Sequence, residues 1–413
     1  MNKRMDRTRL NIGAYILRPY ARTEAHIKDV ADCGIDFIVC MDNDRPALDL
    51  FHKYNLGAIV TGVLPGWWGG DGNNAGKLEE TNPMEKYIAA AASFAASCAD
   101  HPAIWGIDVG DEPSALDFPY YGKVMDYVNR AFPNQFAYLN LYPNYASVSQ
   151  NNAQETVNQL GTPTYDEHIQ RYCECTPTDY LCYDFYLYSI NVTKHYENLR
   201  VVADACRNTG RSMWIVLQVN SNKPAEWMSE NNLRFQAYTS MAFGAENIIW
   251  ACYTAGWWHN QVVDENGEKT EQYEKLKKIN AEIRTMADEY MRYRRVSTHF
   301  VGFEGHPDMA AVKQGAIASL STGVFFDVKA DNGAPLVIGE MVNRHADGSV
   351  ALMVCAADDP HEKEPKEYNI TFRAPDRCVK ALGGGGYKPV VALGDGIYAV
   401  AVKSNEGVLI TAR

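Results

Sequence analysis

The sequence predicts a (β/α)8 barrel over residues 1–296 and an antiparallel β-sandwich over residues 297–413. Two observations carry this. Up to about residue 290, short apolar runs alternate with longer amphipathic segments, and the runs number eight. After about Val296 no long helical pattern remains, and short β-rich runs separated by turn signals take over.

The candidate barrel strands are Leu10–Leu17, Ile35–Met41, Gly57–Val63, Ile104–Val109, Phe136–Leu141, Leu181–Leu187, Met213–Val219 and Asn247–Tyr253. Helical patterns lie between them. Asn82-Pro83 reads as a cap followed by a proline at the first helical position. From Glu271 to Tyr290 the residues Tyr273, Leu276, Ile279, Ile283, Met286 and Tyr290 recur three and four apart, the helical period. A doubly wound open sheet competes with the barrel. It calls for a glycine-rich phosphate turn after the first strand, and Ile16-Leu-Arg-Pro-Tyr20 is not one. The insertion Ala146 to Asp179 follows strand five, holds a short helical stretch around Tyr165–Tyr172, and is expected to rim the barrel mouth. The sandwich strands are expected at Gly323–Val328, Pro335–Met341, Val350–Cys355, Tyr368–Phe372, Ile397–Val402 and Gly407–Thr411. Turns at Asp331-Asn-Gly333, Asp347-Gly348, Gly383 to Gly386 and Asp395-Gly396 separate them.

Composition narrows the function. Charged residues make up 22% and hydrophobic types 46%, the proportions of a globular protein with a sizeable core. A net charge of −12 with no basic run argues against nucleic acid and anionic membranes as partners. The longest mostly apolar stretch, Ile88 to Ala99, is about half the ~20 residues that span a bilayer. Met1 to Ile16 has no apolar core of a secretory leader, so a cytoplasmic location is expected. Ten cysteines are scattered. Cys40, Cys252 and Cys355 sit in apolar runs, and only Cys173-Glu-Cys175 is closely spaced. No second pair stands at a zinc-site distance, so reduced thiols are expected and no metal or cofactor is implied. A homo-oligomer is left open.

In such a barrel the active site lies at the C-terminal ends of the strands, and side-chain parity selects what faces it. In strand four, Trp105, Ile107 and Val109 suit the helix layer, while Gly106, Asp108, Gly110 and Glu112 face inward, and Pro113 stops the strand. In strand seven, Met213, Ile215, Leu217 and Val219 face the helices, leaving Gln218 and Asn220 for the mouth. Inward parity joins Asp184, Tyr186 and Tyr188 in strand six and Tyr138, Asn140 and Tyr142 in strand five. Strand two ends with Asp42 and Asp44. Tryptophan pairs stand in the glycine-rich loops Pro65-Gly-Trp67-Trp68-Gly-Gly70 and Gly256-Trp257-Trp258-His259-Asn260.

Aromatic faces stack on sugar rings, acids and amides take the hydroxyls, and glycosidic bond cleavage needs two carboxyl groups across the mouth. Glu112 and Asp184 are the candidate catalytic pair, and the expected partner is an oligosaccharide or glycoside. Candidate substrate contacts are Asp111, Asp42, Trp67, Trp68, Asn140, Tyr142, Tyr186, Gln218 and Trp257. Each has a plainer reading. Glu112 could cap the next helix, Asp184 could hold a tyrosine, and any one tryptophan is more often packing than platform. His101, His168, His195 and His299 read as structural or surface residues, and Asp331 and Asn332 as turn residues.

Gly110-Asp-Glu-Pro113 resembles the Asn-Glu-Pro signature of retaining (β/α)8 glycoside hydrolases, whose acid/base glutamate follows strand four. The wider pattern resembles a glycoside-hydrolase-like barrel family of bacteria with an appended β-sandwich. The matching segments are Asp111-Glu-Pro-Ser114, Asn140-Leu-Tyr-Pro-Asn-Tyr145, Tyr183-Asp-Phe-Tyr186, Asn198-Leu-Arg200, Gly244-Ala-Glu-Asn-Ile-Ile-Trp250 and Lys278-Ile-Asn-Ala-Glu-Ile283. The resemblance covers nearly the whole chain and implies an exo-acting glycoside hydrolase with Glu112 as acid or acid/base. Two positions depart from the pattern. Asp111 stands where that superfamily has asparagine, and Gln218 stands where strand seven carries the nucleophilic glutamate. Three outcomes remain open. Asp184 supplies the second carboxylate; or Asp111-Glu112 acts as the Asp-Glu pair of substrate-assisted hexosaminidases, which requires strand four to bend; or the barrel binds carbohydrate without cleaving it.

Overall fold

The computed structural model describes residues 4–69, 74–147, 159–190, 192–303, 315–362 and 364–413. Gly70 of the first tryptophan loop and residues 148–158 of the long insertion lie outside them.

The eight apolar runs form eight parallel strands. They are β1 (Asn11–Tyr15), β2 (Phe37–Asp42), β3 (Gly57–Thr61), β4 (Ile104–Asp111), β5 (Phe136–Asn140), β6 (Tyr180–Phe185), β7 (Ser212–Gln218) and β8 (Ala245–Ala251). Their order is β5-β4-β3-β2-β1-β8-β7-β6. A bridge between Leu141 and Tyr183 brings the two ends together, with the Leu141 amide donating to the Cys182 carbonyl at 2.9 Å. The arrangement is a (β/α)8 barrel.

Period-2 alternation sorts the side chains into two layers. Ile12, Ile38, Ile107, Leu139, Ile215 and Leu217 face the helices. Phe37, Trp105, Phe136, Tyr138, Tyr180 and Trp214 fill the barrel interior. These rings need glycines opposite them: a Cβ at Gly57 would lie 2.0 Å from Trp105, and one at Gly13 2.5 Å from Phe37. Trp105 therefore lies inside the barrel rather than against the helices, because β4 shifts register against β3 just before it. At the bottom of the barrel the Arg7 guanidinium lies 5.0 Å from the Phe136 ring centroid and 5.3 Å from that of Trp214. Pro83 is the N-cap of the helix Met84–Ser97, one position earlier than expected. The stretch around Tyr165 is the helix Tyr165–Cys175, closed at its N-terminus by a Thr164–Glu167 capping box.

Beyond the helix Glu271–Tyr290 the chain is β-rich. One sheet has the order β10-β13-β17-β16, formed by Phe326–Ala330, Glu367–Arg373, Ile397–Lys403 and Val391–Gly394. The other has the order β15-β14-β18-β12-β11-β9. Its strands are Gly386–Lys388, Val379–Gly383, Gly407–Ala412, Val350–Ala356, Leu336–Asn343 and Tyr293–Val301. All neighbours in both are antiparallel. Val328, Ile370, Phe372 and Val400 of the first sheet pack against Ile338, Val354, Ala381 and Ile410 of the second. The opposite parity of the second sheet, including Val337, Met353 and Leu409, joins the core under the barrel helices. It docks on the helix Glu230–Ala242, where a Cβ at Gly339 would lie 2.2 Å from the Ala242 carbonyl. That helix is buried on nearly every side, so its sequence shows little amphipathic pattern.

Candidate active site

The site is built on an irregularity in β4. Its register against β5 slips between Asp108 and Gly110, and Gly110 and Glu112 take φ values of 152° and 43°. A side chain at Gly110 would meet the Tyr121 hydroxyl at 2.2 Å, so the bulge needs glycine. The slip breaks the alternation, and Asp111 as well as Glu112 reaches the mouth. The loop after β3 clamps this bend. The Asp111 amide donates to the Trp67 carbonyl at 2.9 Å and the Gly69 amide to the Asp111 carbonyl at 3.0 Å.

A cavity of about 400 Å³ opens here, lined by Tyr15, Trp68, Asp111, Glu112, Asn140, Asp184, Tyr186 and Trp257. That is the size range of small-molecule sites. The Trp68 indole N–H donates to Glu112 Oε2 at 3.0 Å. Asn140 Nδ2 bridges two acids, donating to Asp184 Oδ1 at 2.7 Å and Asp111 Oδ1 at 3.2 Å. The Glu112 and Asp184 carboxyls line the same cavity, and each alters the proton affinity of the other. Trp257 meets the rings of Tyr15 and Tyr186 edge-on, each at 5.9 Å between centroids. Deeper on β4, Asp108 accepts from Thr61 Oγ1 at 3.0 Å and from the Gly110 amide at 3.1 Å.

Crowding carboxyls out of water raises their proton affinity, and like charges raise it further. Burial first, then the charges of Asp184 and Asp111, hold the Glu112 carboxyl well above the usual range, against the Trp68 hydrogen bond. Burial and Asp111 push Asp184 up to about 7. Burial pushes Asp111 to about 6, with Asn140 opposing. Burial and Asp111 bring Asp108 to about 7. Glu112 thus holds its proton more tightly than an ordinary glutamic acid. Among the described residues, no lysine, arginine or histidine lines the cavity. Among the described residues, no group of three or more His, Cys, Asp or Glu is disposed to hold a metal ion, and no helix is long and apolar enough to cross a membrane.

With the cavity at the C-terminal mouth of the barrel, the fold can be set beside known structures. The same barrel recurs in solved structures at low sequence identity. A cycloisomaltooligosaccharide glucanotransferase of Paenibacillus sp., solved with cycloisomaltoheptaose, superposes with a TM-score of 0.57 at 8% identity, covering 98% of this chain and 85% of that one. Weaker similarities are to a glucosidase from Croceicoccus marinus (TM-score 0.45, 9% identity, 98% and 96% covered) and to xylanase 10B from Thermotoga maritima (TM-score 0.43, 12% identity, 66% and 95% covered). No family model matches the chain, and no curated protein does.

Of the residues singled out from sequence, Glu112, Asp184, Asp111, Asn140, Trp68, Tyr186 and Trp257 converge on the cavity. Four do not. Asp42 is exposed on the rim and pairs with Arg22 at 2.6 Å. Trp67 is half-buried, packs into the helix-layer core and offers its carbonyl to Asp111. Tyr142 follows the end of β5, is buried with its ring beside His168, and lends its carbonyl to the Tyr165 hydroxyl. Gln218 is fully buried, and its amide is committed to protein partners: Oε1 accepts from the Tyr188 amide at 3.1 Å and Nε2 donates to the Asn220 carbonyl at 3.0 Å. Tyr188 also leaves the mouth, because β6 ends at Phe185 and a 3-10 turn over Leu187–Ser189 redirects it. Its hydroxyl donates to the Asn232 carbonyl at 2.8 Å. Sequence reasoning missed Tyr15. The signal was there in Asn11, Gly13 and Tyr15, which share one parity of β1.

Proposed function

We propose that this chain is a glycoside hydrolase that cleaves a terminal sugar from an oligosaccharide or glycoside. Glu112 is the proton donor and Asp184 the second carboxylate. The observation that carries the reading is the Glu112–Asp184 pair, one carboxyl holding its proton against the other inside an aromatic-walled cavity. General acid catalysis needs a carboxylic acid still protonated near neutral pH, and a neighbouring carboxylate supplies that condition. A retaining course is proposed, which calls for carboxyls ~5 Å apart rather than the roughly 6.5–9.5 Å that leaves room for water. Asp184 then attacks the anomeric carbon as Glu112 protonates the departing oxygen. Deprotonated Glu112 next activates the water that breaks the glycosyl ester. Trp68 and Trp257 form the walls for the sugar faces, and Asn140 fixes the acids.

One observation favours a second reading. The bulge at Gly110 brings Asp111 into the cavity, where it could orient a 2-acetamido group acting as internal nucleophile. A panel of chromogenic glycosides tests both, with Asp184→Asn and Asp111→Asn beside the wild type. Loss in Asp184→Asn that is rescued by azide, giving a glycosyl azide of inverted configuration, supports Asp184 as nucleophile. Full activity in Asp184→Asn, with loss in Asp111→Asn confined to N-acetylated substrates, supports substrate assistance. No cleavage of any glycoside, with sugar binding retained, refutes hydrolysis.

A further inference from the structure

At the opposite end of the barrel, a second cavity of about 340 Å³ lies between the strand N-termini and the C-terminal β region. Six guanidinium groups line it: Arg7, Arg207, Arg211, Arg294, Arg295 and Arg344. No lysine does. The concentration is notable in a chain with a net charge of −12. Three of the six have carboxylate partners. Arg7 pairs with Asp179, Arg344 with Glu246, and Arg295 with Asp204 at 3.0 Å.

Among the described residues the other three have none. Arg211 is anchored by backbone carbonyls alone, from Nε to Thr178 at 2.9 Å and from NH2 to Cys173 at 2.9 Å and Thr176 at 3.1 Å. Arg207 donates to the Val296 carbonyl at 2.7 Å and to the Asn208 side chain at 3.3 Å. Arg294 is exposed, and no ion pair joins it to a described residue. The carbonyl anchors matter. They fix the direction of the Arg211 and Arg207 guanidinium groups without neutralising them, which leaves their charge available to an anion. The charges also act on one another, since Arg207 helps to lower the proton affinity of buried Arg295. Like charges held this closely are relieved by a counter-anion in the cavity.

We propose that this cavity is a binding site for a phosphate-bearing small molecule, separate from the candidate active site. Phosphate fits better than carboxylate, because a dianion with three acceptor oxygens can engage several guanidinium forks at once. The cavity has room for an ester substituent. The site joins the barrel strands β6–β8, through Asp179, Arg211 and Glu246, to β9 and the residue after β11, through Arg294, Arg295 and Arg344. Its occupant would therefore brace the barrel against the sandwich.

The test is calorimetric titration of the full chain with pyrophosphate, orthophosphate and glucose 6-phosphate, at ionic strength matched with sodium chloride. The expected result is saturable binding of at least one of them at one site, with a Kd below about 1 mM. A raised thermal midpoint should accompany it. Arg207→Gln/Arg294→Gln alters two exposed side chains, so the unliganded midpoint should hold while affinity falls at least about tenfold. Arg294→Gln alone, which breaks no recorded contact, should weaken binding several-fold. Tighter binding of glucose 6-phosphate than of orthophosphate points to a phosphate ester, and the reverse order to free phosphate. Absence of saturable binding by all three, or equal affinity in the wild type and the double variant, overturns the proposal.

Discussion

Asp184→Asn should yield a protein that is more stable at high pH and inactive, and the size of the gain follows from the site. In an unfolded chain the Asp184 carboxyl ionises near its ordinary value of 3.8, whereas in the folded protein it holds its proton up to about 7. Between those values the native state binds more protons than the unfolded state, so stability falls as pH rises from about 4 to about 7 and then levels off. The full interval corresponds to roughly 4 kcal/mol. Asp111 and Glu112 share the titration, so a gain on the order of 2–4 kcal/mol is the expected range at about pH 8. Asparagine keeps an oxygen for Asn140 Nδ2, so the scaffold survives the change. Chemical denaturation at about pH 8 and about pH 4 measures the effect. The variant should be more stable at the higher pH and nearly equal to the wild type at the lower. A gain of the same size at both pH values, or none at pH 8, would show that Asp184 is not a strained carboxyl.

Glu112→Gln should lower kcat by a factor on the order of 100 or more on substrates with poor leaving groups and by less on activated aryl glycosides, read from steady-state kinetics. Equal losses on both would count against an acid role. The wild-type pH profile should rise through about 7 as Asp184 ionises and fall again at higher pH as Glu112 loses its proton. Trp68→Ala removes the indole donor that opposes the upshift of Glu112, so the falling limb should move to higher pH while KM rises. An unmoved limb would separate Trp68 from the acid. Gln218→Glu should destabilise the fold by roughly 1–3 kcal/mol in thermal or chemical melts and restore no nucleophile, because a buried carboxylate would face the Asn220 carbonyl. A gain in activity there would refute this placement.

Most of the fold was legible because two periods dominate the chain. Alternation by two along β7 separated Ile215 and Leu217 from Trp214 and Val216, and the three-and-four spacing of the helix Glu271–Tyr290 was equally plain. Of the strands that escaped notice, two have plain local reasons. In β9, Tyr293 to Val301, consecutive arginines mask the alternation. In β16, Val391 to Gly394, every residue is exposed, so burial imposes no pattern. Parity located Asp184 and Asn140 where the strands stayed regular, whereas Glu112 reaches the mouth past a bulge that brings Asp111 with it. Parity misdirected Trp105 at a register shift, and it misplaced Tyr142 and Tyr188 beyond the ends of their strands. A bulge and a strand end are tertiary outcomes that a period-2 rule cannot contain.

The same distinction explains the glutamine on β7. An amide at the strand-seven position, where the barrels that the strand-four motif resembles carry a carboxylate, could be taken as a site that has lost its chemistry. Its surroundings argue otherwise. Gln218 uses its side-chain oxygen on the Tyr188 amide and its nitrogen on the Asn220 carbonyl, while its backbone exchanges two hydrogen bonds with the Gln236 side chain. It rivets the end of β7 to the turn after β6 and to the helix Glu230–Ala242. One group must accept and another must donate, which a carboxylate cannot do and an amide can. The turn held by that rivet begins three residues after Asp184, so the glutamine helps to fix the strand end from which Asp184 reaches the mouth. On this geometry the second carboxylate has a place in the mouth on β6, and the amide on β7 belongs to the frame that positions it.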